Sequence, residues 1–272
     1  MSSASTLVST FSPNLSQTFS PGTAYRAEAV ARAERDLTAS TDRYMRHAAH
    51  ALALAAVREL RDAVGRVAGA GVVLLIGGGH NGGDALLAGA FLAGRGCAVT
   101  AALATDHPHP TAMEAAERAG VRVAHEPLEA CERAAAGGVA LVIDGLTGIG
   151  ATGPLRSRAA ALAGRRGARP FRVVAVDLPS GTGVDDGAVA GPVLAADLSI
   201  TFTCLKGAHL LPPAAGLCGR VEVADLGLPL PADPDAILVS RPADSELGRL
   251  LRVPGDTDHK YTRGVVGLWA GS

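Results

Sequence analysis

Aromatic side chains are scarce, with one Trp, three Tyr and five Phe in 272 residues. That is too few for the stacking platforms that bind single-stranded nucleic acid. An excess of charge is missing too: the formal net charge is −1. This removes the electrostatic footprint of a nucleic-acid or anionic-membrane binder. No apolar run reaches bilayer-spanning length. The N-terminal residues lack the basic stretch and apolar core of a secretory signal. Cys97, Cys131, Cys204 and Cys218 lie far apart and form no C-x-x-C pair. They read as reduced, mostly buried thiols, and the expected location is the cytoplasm. There is no G-x-S-x-G elbow around Ser180 and no G-K-S/T phosphate loop, which argues against α/β-hydrolase and P-loop chemistry.

What the chain has in quantity is apolar residues, 48%, and glycine, 34 residues. Both meet in the stretch 72–84, VVLLIGGGHNGGD. Five apolar residues running into three glycines describe a strand buried on both faces, ending in a tight turn. The segment 85–95 is mostly small and apolar, and Asp84 is a good residue to start that helix, as acceptor for its free N–H groups. A strand, a glycine turn and a helix N-terminus make a phosphate-binding unit. Gly77, Gly79 and Gly82 also satisfy G-x-G-x-x-G. That signal is weak in so glycine-rich a chain, and Asp106, the nearest acidic partner, sits beside His-Pro-His-Pro at 107–110, which reads as a loop.

The rest alternates in the same way. Residues 1–22 are dominated by Ser and Thr and are expected to be a disordered tail. Helical patterning covers 23–34 and 40–67. Strands are expected at 98–104, 121–124, 139–144, 171–177, 197–202 and 220–225, with helices at 111–119, 128–136 and 154–164, the last opened by Pro154. The predicted fold is therefore α/β: a Rossmann-like, doubly wound, mostly parallel sheet flanked by helices, with two N-terminal helices preceding the first strand. In such folds the ligand lies beyond the carboxyl ends of the strands.

Three of those strand ends are chemically loaded. One leads into His80-Asn81-Gly82-Gly83-Asp84, one ends in Asp144-Gly145-Leu146-Thr147-Gly148, and one ends in Asp177-Leu178-Pro179-Ser180-Gly181. Two carboxylates and a hydroxyl at one sheet edge suit acid–base work or a cation site. A single Asp there would only cap a turn. Lys206-Gly207-Ala208-His209 can reach the same edge or be a solvated loop. His47, His50, His107 and His109 read as packing or solvated residues, and Asp185-Asp186-Gly187 as an exposed turn.

GGGHNGGD at 77–84, VIDGLTGIG at 142–150 and VAVDLPSG at 174–181 together resemble the NAD(P)H-hydrate epimerase family, the YjeF N-terminal domain. The later segments, through KGAHLLPP at 206–213 and GRVEVADLGLP at 219–229, are similar to it as well. The resemblance implies an isomerase that interconverts the R and S forms of hydrated NADH and NADPH for nucleotide repair. It implies one potassium ion per chain, held by Asn81, Asp144 and Ser180. It implies that the nucleotide lies against His80, Asn81, Gly82, Gly83 and Asp84, against Gly148, Ile149, Gly150, Ala151, Thr152, Gly153 and Pro154, and against Asp177. Asp177 is the expected catalytic acid–base, and Asp84 is expected to be mainly a helix cap. The family usually carries Asn where this chain has His80, and Pro where it has Gly78. A homodimer is implied, with no nucleic-acid or membrane partner.

The epimerase domain is expected over 23–230. Residues 231–272 read as a linker and the cut-short opening of an ADP-dependent NAD(P)H-hydrate dehydratase domain, a partner activity. Two other readings stay open: a catalytically silent nucleotide-binding protein on this fold, and an NAD-dependent oxidoreductase.

Overall fold

The computed structural model describes residues 8–11, 22–38, 42–133, 136, 138–151, 153–155, 157–163, 170–230, 233–242, 244–250, 255–259, 261–262, 265 and 267. Strands β1 (Val8–Phe11) and β2 (Thr23–Tyr25) come first, then helices α1 (Ala27–Thr38) and α2 (Arg43–Val64). Next come β3 (Gly71–Ile76), α3 (His80–Gly94), β4 (Ala98–Leu103), α4 (Pro110–Arg118) and β5 (Arg122–Val123). The alternation continues through α5 (Pro127–Arg133), β6 (Leu141–Gly145), α6 (Ser157–Ala163) and β7 (Arg172–Val176). It closes with β8 (Leu198–Phe202), β9 (Leu205–Lys206), α7 (Gly207–Leu210), β10 (Arg220–Ala224) and β11 (Ile237–Ser240).

Eight strands form one parallel sheet in the order β1-β10-β8-β7-β6-β3-β4-β5. Strand order reverses around β3, which pairs with β4 on one side and β6 on the other. The alternation of side chains along β3 separates two cores. Val72, Leu74 and Ile76 pack with Leu52, Leu60, Leu86 and Leu92 of α2 and α3. Val73 and Leu75 face the other way, toward Ala130, Cys131, Leu162 and Ala163 of α5 and α6. Both faces are covered, which is why the strand reads as unbroken Val, Leu and Ile.

A smaller sheet, β11-β2-β9, brings an early strand against two late ones. It pairs Ala24 with Leu205 and Tyr25 with Lys206. It also explains two departures from the sequence reading. Residues 23–25, expected to open a helix, are a strand, because their partners lie about 180 and 210 positions away, beyond the reach of local pattern. The compact unit runs to Ser240, past the boundary expected at 230, since β11 pairs with β2.

The two helices expected before the first strand precede β3, but β1 and β2 come before them, so they do not open the fold. Within the expected tail, Val8–Phe11 pairs with β10; residues 1–7 and 12–21 lie outside the described residues. Helix α6 starts at Ser157, leaving Pro154 in the preceding turn. Residues 241–272 form a separate unit carrying α8 (Asp244–Leu250). The strand expected over 265–272 falls almost wholly outside the described residues. Among the described residues, no helix is long and apolar enough to cross a membrane.

Candidate active site

The turn after β3 is built on backbone contact. A Cβ on Gly77 would lie 1.8 Å from the Leu146 carbonyl oxygen, and one on Gly82 would lie 2.2 Å from the Gly77 oxygen. Two of the three glycines in the G-x-G-x-x-G pattern are thus required by the chain's own packing. The third, Gly79, faces open space. It is the N-cap of α3, so the helix begins at His80, four residues before the expected cap Asp84. Tertiary packing overrides the poor helix propensity of Gly82 and Gly83. Asp84 therefore lies inside the helix and does not cap it.

Beneath the turn, the expected cation ligands form one hydrogen-bonded node. Asp144 is fully buried at the end of β6. Its Oδ1 accepts from the Ser180 hydroxyl at 2.7 Å and the Leu146 N–H at 3.2 Å, and its Oδ2 accepts from the Ser180 N–H at 2.9 Å. The Thr147 N–H donates back to Ser180 Oγ at 2.9 Å. Burial raises the Asp144 carboxyl above its ordinary range, against the lowering effect of these donors. Asn81 Nδ2 donates to the carbonyls of Thr147 (3.0 Å) and Val176 (2.7 Å). Its Oδ1 faces Gly148, where an added Cβ would come within 2.5 Å. These donors are hard oxygens on three elements, which suits a hard cation. Here the Asn81 amide nitrogen, not its oxygen, is turned to the carbonyls. Asn81 and Thr147 line the cavity above, whereas Asp144 and Ser180 lie below its floor.

The wall is charged. Asp177 follows β7 with φ +68°, a left-handed conformation uncommon for a side-chain-bearing residue. Its backbone is pinned from both sides: its N–H donates to Ile200 O at 2.7 Å, and its carbonyl accepts at 2.8 Å from His209 Nε2. The Lys206 N–H occupies His209 Nδ1 at 2.9 Å, which assigns the ring proton to Nε2. Burial pushes His209 down to about 4, so this ring is neutral at pH 7. Asp177 Oδ1 accepts from Lys206 Nζ at 2.8 Å and from the Thr201 hydroxyl at 2.7 Å. Lys206 is 2% exposed and Asp177 is 3% exposed. Burial alone would raise Asp177, but the Lys206 ammonium and the hydrogen bonds from Lys206 and Thr201 outweigh it and hold the carboxyl below its ordinary range. For Lys206, burial works downward and Asp177 more than reverses it. The pair is ionised, and Lys206 is no solvated loop lysine. Such a carboxylate stands in the form that accepts a proton, and holds one only weakly.

Both groups line a cavity of about 530 Å³ at the carboxyl ends of the strands, within the range of small-molecule sites. His80, Asn81, Asp84, Gly148, Ile149, Gly150, Ala151 and Asp177 all line it. Gly82 and Gly83 are buried behind the wall, and Gly153 and Pro154 stand outside it. Thr152 lies outside the described residues. Gly83 leaves room for His109 and Met45, which reach the cavity from α4 and α2.

Glu34 on α1 also lines the cavity and was not singled out from sequence. Its carboxyl is raised first by burial and also by Asp177, against the pull of Lys206. Nothing local marks it, because it sits on an ordinary amphipathic helix. His109, which the sequence marks only as a packing or solvated residue, lines the cavity too. It is the N-cap of α4, its Nδ1 accepting from the Ala112 N–H at 3.4 Å. Asp185 is more than an exposed turn, since it accepts from the Ala27 N–H at 2.8 Å at the start of α1.

Fold and site define a Rossmann-like α/β protein with a polar, charged cavity beyond the carboxyl edge of its sheet. The chain belongs to the family described as YjeF-related protein N-terminus, whose model matches residues 41–208. It is 42% identical over 251 residues to the bifunctional NAD(P)H-hydrate repair enzyme Nnr of Mycobacterium leprae, covering 91% of this chain and 50% of that one. It is 43% identical over 212 residues to the NAD(P)H-hydrate epimerase of Microbacterium testaceum, covering 75% and 78%. The chain thus spans about half the length of the bifunctional relatives it matches. The crystal structure of the yeast protein ynu0 superposes with TM-score 0.59 at 18% identity, covering 79% of this chain and 98% of that one, and so shares its fold.

Proposed function

We propose that this protein is an NAD(P)H-hydrate epimerase, interconverting the R and S forms of hydrated NADH and NADPH. The observation that carries this reading is the ionised Asp177–Lys206 pair on the wall of the cavity. In the hydrated ring the hydroxyl sits on C6, beside N1. The N1 lone pair can expel it as water, leaving a planar iminium, and water can return to either face. The returning water must lose a proton, and Asp177 is the base. The glycine turn and the loop at 148–151 bind the polar oxygens of the nucleotide.

Asn81, Asp144 and Ser180 would hold a potassium ion whose charge steadies the two loops above the sheet. The protein works in the cytoplasm as a homodimer, and supplies the S form to an NAD(P)H-hydrate dehydratase that returns it to the intact cofactor.

The test is a coupled assay. R and S NADHX are mixed with an S-specific dehydratase from another source, and loss of the R form is followed with and without this protein and with and without potassium. Accelerated, potassium-dependent loss is expected. Binding of the nucleotide without acceleration would replace this reading with a silent binding protein, and transfer of hydride from intact NADH to a second substrate would make it an oxidoreductase.

A further inference from the structure

The reading above leaves one half of the proton transfer without an agent. Expelling the hydroxyl as water needs a proton donor, and Asp177 is held ionised by Lys206. Asp84 is the only buried side chain among the described residues with a polar atom lacking any hydrogen-bond partner, its Oδ1. It is 5% exposed and lines the same cavity as Asp177. A buried, unpartnered carboxyl oxygen disfavours folding, is rare, and points to a role outside the fold's own bonding.

Resting on the epimerase reading, we propose that Asp84 is the proton donor of this site, working opposite Asp177 as a separate acid. In one direction the Asp84 carboxylic acid gives its proton to the C6 hydroxyl, the C6–O bond breaks, and the N1 lone pair forms N1=C6. The products are water, the iminium and the Asp84 carboxylate. Water then adds to the other face of C6 and its proton goes to the Asp177 carboxylate. Return of that proton from Asp177 to Asp84 restores the enzyme, and the reverse reaction uses the two groups in exchanged roles. No oxidant or further reactant is needed.

The surroundings of Asp84 favour this division. Burial first, then the negative charges of Asp177 and Glu34, push its carboxyl well above the ordinary range. The same cavity brings His80 from its own helix, His109 from α4, Asp42 from before α2, and Lys206 from β9. The Lys206 ammonium is bonded to Asp177, Thr201 and Phe202 O, not to Asp84. Two carboxyl groups in one cavity whose environments push them in opposite directions divide into an acid and a base.

The experiment compares wild-type protein with D84N and D84E in the epimerase assay across pH. D84N is expected to lose about 10²- to 10⁴-fold in kcat with KM much less changed, and D84E to recover part of it. The wild-type profile is expected to fall at alkaline pH, with that limb missing in the residual activity of D84N. D84N should be at least as stable as wild type at neutral pH, since it removes a buried ionisable group without a partner. A D84N enzyme turning over within about threefold of wild type, or keeping the alkaline limb, overturns the proposal. Should D84N fail to fold, infrared titration of wild type against D84E decides: a protonated carboxyl band that persists at pH 7 and shifts in D84E supports it, and the absence of such a band overturns it. Wild type without epimerase activity is a different failure, that of the epimerase reading.

Discussion

Under the cavity floor, Asp144 is wholly buried and accepts three hydrogen bonds, two from Ser180 and one from Leu146. On the wall, Asp84 is nearly as deep, and its Oδ1 has no partner. Burial pushes both carboxyls upward. Depth therefore does not separate a carboxylate that holds a fold together from one available for chemistry. The separation lies in what surrounds the oxygens: both floor oxygens are hydrogen-bonded to their own chain, whereas the wall holds an ion pair and an orphan.

The sharpest break in that comparison is Lys206→Met. It leaves Asp177 buried without its counter-charge and is expected to cost about 3–5 kcal/mol in urea unfolding. Lys206→Met combined with Asp177→Asn should recover much of that loss. A single-variant cost of a few tenths of a kcal/mol would mean that the wall is not held by the pair.

His209 offers a test in pH. Its folded value, about 4, lies below the ordinary 6.5. Between these values the unfolded chain binds more protons, so stability should be fully present above about pH 6.5 and fall as pH drops toward 4. The expected loss is about 3 kcal/mol. His209→Gln should be less stable at pH 7 and lack that slope; an unchanged slope would assign it to other groups.

The smallest expected effect is on the floor. Ser180→Ala removes the hydroxyl that links Asp144 to Thr147, at about 1–3 kcal/mol. In the proposed function it should also weaken the potassium dependence while leaving the Asp177–Lys206 pair intact. If Ser180→Ala proved as damaging as Lys206→Met, the floor rather than the wall would dominate the stability of the site.

Much of the site could be read without coordinates. The residues at 80–84, 144–150 and 177–180 follow apolar strands, and a parallel sheet must bring such ends to one edge. What the pattern missed has one cause in each case. Glu34 and His109 reach the cavity from helices whose orientation depends on packing. Asp84 looks like a cap by residue type, and only the close approach of the Leu146 and Gly77 backbones starts α3 four residues earlier. Lys206 looks like a loop lysine because β9 is two residues long and is held by pairing with β2, far away in the chain.

The central strands of the large sheet, the two-faced burial of β3 and the order of loaded strand ends came from apolar runs and glycine punctuation, because burial on both faces leaves a local signature, whereas β1, β2, β9 and β11 are held by distant partners and carry none. The protonation states did not come from local pattern. Asp144, Asp177 and Asp84 are the same residue type at one sheet edge, but Asp144 answers to Ser180, 36 positions away, Asp177 to Lys206, 29 positions away, and Asp84 to burial with Asp177 and Glu34, 93 and 50 positions away. Only tertiary packing brought Ser180 to the first and Lys206 to the second, and left the third oxygen bare.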